Sequence, residues 1–160
     1  MVENQRIKSA KYTILVVDDE ELMRYLVVSY LSKLGHSCLT AVDGVDALDK
    51  IKGNKIDAVI TDIKLPNMDG MTLIGEISRQ YPGLPVMVMT AFDEEYSEGT
   101  VISVGAREFL KKPFTLDEFA IRLSKMINDS EIMKRMKSEK AADENFGDLM
   151  DELEKILKNS

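Results

Sequence analysis

Ile14-Leu15-Val16-Val17-Asp18-Asp19 is the stretch that decides the fold. Four large apolar residues in a row, three of them β-branched and none alternating with a polar residue, read as a strand buried on both faces. Such strands belong to parallel sheets covered by helices. The run stops at two acids, so both lie at its carboxyl end. Ala58-Val59-Ile60-Thr61-Asp62 repeats the pattern, and the short run Glu108–Lys111 brings Lys112 and Pro113 to a third strand end. In open α/β sheets that edge is where ligands bind. Three carboxylates gathered there repel one another unless a cation lies among them. Their hard oxygens suit Mg²⁺, which takes few protein carboxylates and keeps water and phosphate oxygens in its shell. A lysine at the same edge supplies a point charge suited to a phosphoryl oxygen.

Outward from these runs, strand and helix patterns alternate. Thr13–Asp18 is the first strand. Leu22, Met23, Leu26, Val27, Tyr30, Leu31 and Leu34 form an amphipathic helix stripe, closed by Gly35 as a left-handed cap. Ser37–Ala41 is a weaker second strand, and Ala47, Leu48 and Ile51 mark a short helix that Gly53 ends. Asp57–Asp62 is the third strand, and Leu65-Pro66-Asn67-Met68-Asp69-Gly70 is a loop by composition. Met71, Ile74 and Ile77 predict the next helix, Pro85–Thr90 the fourth strand, Ser97–Val104 a poor helix and Glu108–Lys111 the fifth strand. Thr115-Leu116-Asp117-Glu118 is a capping box, and the helix it opens continues through Phe119, Ala120, Leu123, Met126 and Ile127. Five strands alternating with five helices predict an α/β fold, a doubly wound five-stranded parallel sheet with right-handed crossovers.

The chain has 160 residues, 44% hydrophobic and 31% charged, an ordinary balance for a globular protein. A formal net charge of -7 and a pI near 4.8 argue against direct nucleic-acid binding. Cys38 is the only cysteine. It sits in an apolar stretch, reads as a small buried side chain, excludes an internal disulfide and fits a reducing cytoplasm. Residues 1–11 form a polar tail with no apolar core of signal-peptide length. No stretch reaches the roughly 20 apolar residues of a membrane span, so a cytoplasmic protein without membrane contact is expected.

The expected organisation is a tail over 1–11, the α/β domain over 12–128 and a helical C-terminal extension or linker over 129–160. Residues 130–160 hold eight acids and six bases. Phe146, Leu149, Met150, Leu153, Ile156 and Leu157 make an apolar stripe at helical spacing, and no glycine-rich loop, zinc spacing or helix-turn-helix pattern accompanies it. An exposed ridge of this kind predicts burial against its own domain, a second copy or a further domain. A homodimer is the favoured expectation. A frayed linker helix is the plainer alternative, because two heptads are marginal alone.

Taken together, Leu15-Val16-Val17-Asp18-Asp19-Glu20, Asp62 with Leu65-Pro66-Asn67-Met68-Asp69-Gly70, Thr90-Ala91 and Lys112-Pro113-Phe114 resemble the response-regulator receiver domains of two-component signalling. DD and KP pairs occur by chance, but four motifs in register at four strand ends are specific. The match runs from Tyr12 to about Ile127. The resemblance implies a flavodoxin-like sheet of order 2-1-3-4-5. It implies that Asp62 is the phosphoacceptor, a carboxylate attacking phosphorus to form an acyl phosphate. It makes Asp19 the direct Mg²⁺ ligand, Asp18 its partner acting through water, and Asp62 and the backbone carbonyl of Ile63 further ligands. Lys112, the lysine directly before proline, would contact the phosphoryl group. Lys111 points the other way along the strand and reads as a solvated charge. Thr90 would be the switch hydroxyl and Phe109 the switch aromatic, turning inward as Thr90 moves toward the phosphate. Lys64 and Phe92 occupy the two positions that tune phosphate lifetime in the family.

Several of these residues have a plainer reading: Asp62 could be a helix cap or loop turn, although it sits before Ile63 and not at a helix start. The acids Asp18 and Asp19 also favour the start of the following helix, Thr90 suits a strand end, and Phe109 suits a core. The donor implied is a phosphohistidine on a histidine kinase or histidine phosphotransfer protein. His36, the only histidine, follows Gly35 in a loop and reads as a surface residue. The chain is then a receiver that catalyses only its own phosphorylation and dephosphorylation, and not an enzyme acting on other substrates. Two rivals remain. One is a Mg²⁺-dependent phosphatase using Asp62 as a transient nucleophile, which usually carries an acid two residues on, where this chain has Lys64. The other is a scaffold that has lost signalling, which the intact set of acids and lysine disfavours.

Overall fold

A computed structural model describes residues 11–91 and 97–159. The polar tail expected over 1–11 therefore lies, but for Lys11, outside the described residues, as does Phe92. In chain order the elements are β1 (Thr13–Val17), α1 (Glu21–Lys33), β2 (Ser37–Ala41), α2 (Gly44–Gly53), β3 (Ala58–Asp62), α3 (Gly70–Gln80), β4 (Val86–Thr90), α4 (Glu98–Val104), β5 (Glu108–Lys111) and α5 (Leu116–Lys158). All five strands join one sheet of order β2-β1-β3-β4-β5, and every pair is parallel.

Alternation along the strands sends side chains into two cores. Ile14 and Val16 pack with Val27 and Leu31 of α1 and with Phe119, Leu123 and Met126 of α5. Leu15 and Val17 pack with Ala47 and Ile51 of α2 and with Leu73, Ile74 and Ile77 of α3. Both faces are thus dry, which is why β1, β3 and β4 read as unbroken apolar runs. Phe119 is fully buried, its ring 5.9 Å from Phe114 and 5.6 Å from Tyr30. Burying one such side chain stabilises the fold by about 1.5–3 kcal/mol.

The helix punctuation follows local chemistry. Gly35, just past α1, has φ 90, the left-handed geometry that glycine adopts without a steric cost. Asp43, Asp69 and Ser97 cap α2, α3 and α4 by accepting from the backbone N–H three residues on. Thr115 does the same for Glu118 at 3.1 Å.

Three expectations shift. The helix expected to close near residue 127 runs on as α5 to Lys158: no glycine or proline lies between Leu116 and Phe146, and Gly147 is carried within the helix. His36 is half-buried rather than at the surface. Its Nδ1 accepts from the Tyr12 N–H at 3.3 Å, and burial lowers its pKa. Cys38 is half-buried rather than fully enclosed.

The chain divides into two compact units, Met1–Ile127 and Asn128–Ser160. In the second unit, Phe146, Leu149, Met150, Leu153, Ile156 and Leu157 are all exposed. No helix among the described residues is long and apolar enough to cross a membrane.

Candidate functional site

Strand register assembles the site. Val17 pairs with Thr61, so Asp18 and Asp62 emerge level from neighbouring strands. Asp62 pairs with Met89, which places Thr90 one residue further, and Thr90 pairs with Lys111. Lys112 follows directly, its N–H donating to the Thr90 carbonyl at 2.8 Å. The four strand-end residues picked from sequence therefore meet at one edge of the sheet.

Lys112 is the hub. Its Nζ donates to Asp62 Oδ2 at 2.9 Å and to Asp18 Oδ2 at 3.2 Å. The other oxygens are held by the backbone: Asp18 Oδ1 accepts from the Glu20 N–H at 2.9 Å, and Asp62 Oδ1 from the Ile63 N–H at 2.7 Å. Asp18 is wholly inaccessible to solvent and Asp62 is 7% exposed. Asp19 and Glu20 are exposed beside them. Thr90 is buried, Lys111 is exposed, and Lys64 sits exposed at the rim. A cleft of about 360 Å³ opens over this cluster, with Asp19, Asp62, Lys64, Thr90 and Lys112 among its walls.

Burial pushes the Asp18 carboxyl above its ordinary range, against the Glu20 amide and the Lys112 charge that pull it down. A raised carboxylate pKa means that stability is greatest while Asp18 is protonated and falls as pH rises through its folded value. A cation nearby would favour the ionised form and so offset that effect of burial. Burial also pulls the Lys112 ammonium down, but its hydrogen bond to Asp62 and the charges of Asp62 and Asp18 outweigh that and raise it. Lys112 therefore stays charged at physiological pH. Its stabilisation is complete below the ordinary value of 10.5 and is lost only above it.

Asp18, Asp19 and Glu20 offer carboxylate oxygens within 4.8 Å of one another. This all-oxygen donor set, with one lysine against several acids, fits a hard divalent cation. Glu20 belongs to the Leu15–Glu20 motif, and its place in the cluster follows from adjacency to Asp19. A residue missed from sequence is Arg24. Its guanidinium donates to the Asp18 carbonyl at 2.7 Å and fixes the end of β1. Spacing alone carries no signal for that bond, because it depends on how α1 turns back over the strand. Phe109 is already inside, 8% exposed and packed in the core with Val88 and Val101. The inward turn that the resemblance implies thus has no outward starting point in this conformation.

Residues 14–124 match the family described as response regulator receiver domain. The chain is 35% identical over 119 residues to the alkaline phosphatase synthesis transcriptional regulatory protein PhoP of Bacillus subtilis, covering 74% of this chain and 50% of that protein. It is 37% identical over 114 residues to the response regulator MprA of a Mycobacterium species, covering 71% and 50%. The chain thus spans about half the length of these curated relatives. Among solved structures, NtrX from Brucella abortus superposes with a TM-score of 0.76 at 33% identity, over 81% of this chain and 29% of that one.

Proposed function

Because the chain belongs to the response-regulator receiver family, a component of two-component signalling, we propose that it accepts a phosphoryl group on Asp62 in a Mg²⁺-dependent reaction. The donor is a phosphohistidine on a histidine kinase or phosphotransfer protein of the cytoplasm. The observation that supports this most is the pair of bonds from Lys112 to Asp62 and Asp18 at the sheet edge. They leave Asp62 facing a cleft with a fixed cation beside it.

In the transfer, an Asp62 carboxylate oxygen forms the new bond to phosphorus as the P–N bond to the donor imidazole breaks, and the bonding pair leaves with the imidazole. Transfer of this kind asks the protein mainly for alignment and charge stabilisation. Asp62 is aligned by the Ile63 amide on one oxygen and Lys112 on the other. Lys112 then moves its donors to a phosphoryl oxygen, and the Thr90 hydroxyl would follow. Mg²⁺, when bound by Asp19, Asp62 and the Ile63 carbonyl, with Asp18 acting through water, supplies neutralisation of the remaining phosphoryl charge. Phosphorylation brings about −1.5 to −2 charge units to the site. Thr90 and Phe109 lie on the adjoining strands β4 and β5, the route by which that charge would reach α4, β5 and the start of α5. The exposed Lys64, where phosphatases carry an acid, disfavours turnover of outside substrates.

Incubation with a small acyl phosphate and Mg²⁺ tests this. One phosphate per chain, seen by intact mass, is the expected result; rapid turnover of the donor without an adduct would favour the phosphatase. The two acids should also separate by metal titration. Asp19→Asn is expected to weaken Mg²⁺ binding more than Asp18→Asn, because a direct ligand is lost in one case and a water-mediated one in the other. Equal or reversed losses would show the roles to be misassigned.

For the second unit, a homodimer through the exposed ridge is the reading we favour. Lys134, Arg135, Lys137 and Lys140 precede an acidic stretch, Asp143, Glu144, Asp148, Asp151, Glu152 and Glu154. Packing centred on the ridge, near residue 151, keeps those bases off the partner's acids; laid antiparallel, it brings Lys155 and Lys158 level with Asp148 and Glu144 of the second copy. Removing residues 145–160 is expected to lower the mass in solution, measured by light scattering, while leaving phosphorylation intact. A full chain that is already monomeric would end the dimer reading.

A further inference from the structure

The loop after Asp62 is tied to a distant helix by contacts that the phosphoacceptor chemistry itself does not use. Asn67 Nδ2 donates to Asp43 Oδ2 at 2.6 Å, bridging 24 residues of sequence. Asp43 is 8% exposed, and its other oxygen caps α2 by accepting from the Asp46 N–H at 2.7 Å. Beside this bond the Gly44 N–H donates to the Met68 carbonyl at 3.2 Å. A side chain on Gly44 would place its Cβ 2.7 Å from that same oxygen, so helix and loop are in direct contact. Asn67 itself has φ 65, a left-handed conformation that asparagine tolerates better than most residues. The loop's far end returns to the site. Gly70 N–H donates to the Ile63 carbonyl at 2.7 Å, and Ile63 N–H donates to Asp62 Oδ1.

These bonds form one chain of contact from the start of α2 to the carbonyl of Ile63. A carbonyl oxygen has two lone pairs. The Gly70 bond takes one and thereby sets the direction of the other. If the loop lifts off α2, Gly70 and the Ile63 carbonyl lose that orientation together. We propose that Asp43 and Asn67 are positioning residues for the metal site: their bond straps the 63–70 loop onto α2 so that the Ile63 carbonyl faces the cation. This inference rests on the Mg²⁺-dependent reading above. It adds two residues, one of them on the far side of the loop, that touch neither the cation nor the phosphoryl group. Partners acting through a ligand in this way typically change metal affinity by about 10–100-fold. The low end is expected here, because the strap acts one bond further out.

The test uses the full chain and Mg²⁺ alone, with affinity read by calorimetry and the exchange rate of the Gly70 amide read by NMR. Asn67→Gly keeps the left-handed backbone accessible and deletes the amide. It is expected to bind Mg²⁺ about tenfold more weakly, with faster Gly70 exchange. Asn67→Asp is expected to do the same by setting a second carboxylate against Asp43. Adding Asp43→Asn to it restores affinity, because the exchanged amide now donates to the exchanged carboxylate and the cap on Asp46 is kept. Asp43→Asn alone stays near wild type, since the Asn67 amide can turn over and accept. Rescue of affinity is a result that general loosening of the fold does not produce, and it decides the matter if Asn67→Gly fails to fold. Wild-type affinity and exchange in Asn67→Gly, or failure of the double variant to recover, would overturn the strap. Absence of Mg²⁺ uptake by the wild type would instead overturn the metal-dependent reading beneath it.

Discussion

Asp62→Asn is expected to abolish the phosphate adduct, lowering its rate of formation by a factor on the order of 10³ or more, as loss of a nucleophile does. The substitution is nearly isosteric. Its single carbonyl oxygen can accept from the Ile63 N–H or from Lys112 but not from both, and Lys112 keeps its bond to Asp18, so the fold is expected to hold. The competing acceptors differ in access. Asp18 has no solvent exposure and has one oxygen on the Glu20 amide and the other on Lys112. Asp19 is exposed but lies outside the Lys112 pair. A full-size adduct on the variant, mapped by peptide mass to Asp19 or any other side chain, would sink the assignment of Asp62. Circular dichroism on the same sample separates lost chemistry from lost structure.

Gly70→Ala is expected to destabilise the domain by about 3 kcal/mol, the upper end of what overpacking a tight site costs. That is a fall of about 10 °C in melting temperature for a domain of this size. A Cβ on Gly70 would collide with the Asp62 carbonyl oxygen and stand 2.7 Å from Ile63 Cα. Both are backbone atoms at the end of a central strand, so neither can turn aside as a side chain would. Alanine's advantage as a helix former, at most about 1 kcal/mol over glycine, does not offset this. Gly75 provides the control. It lies in the same helix, α3, and a Cβ there would meet nothing within 4 Å. Gly75→Ala should therefore stabilise by up to about 1 kcal/mol. Thermal unfolding of the two variants should move in opposite directions. Two shifts of the same sign would show that the close approach at Gly70 is relieved by a small movement of the loop.

Asp62 and Gly70 are visible in the sequence for different reasons. Asp62 stood out because an acid ends an apolar run. Gly70 stood out only as part of a loop rich in Pro, Asn and Gly, and its steric role depends on the return of the chain against β3. Glu20 and Arg24 show the same division. Their positions beside Asp18 were plain, but the carboxylate cluster and the bond to the Asp18 carbonyl depend on how α1 leaves the strand. The long α5 was legible in part. Its first turns announced themselves through the capping box and the Phe119, Leu123 and Met126 stripe, whereas the change to a charged composition near residue 129 suggested a boundary that no helix-breaking residue enforces.

The sequence by itself determined the α/β class, the strand ends that carry Asp18, Asp62, Thr90 and Lys112, and the helix cap at Thr115. These are local matters: a doubly buried strand must be apolar throughout, and a helix start needs a side-chain acceptor within three residues. Tertiary structure alone decided which acids Lys112 holds, how deeply Asp18 is buried, that Phe109 is already inside, and that Asn67 reaches Asp43. Those facts depend on register between strands that are distant in sequence, and on the direction in which each loop returns. A change of one residue in register sends a side chain to the opposite face of the sheet, and no local pattern of residues records that choice.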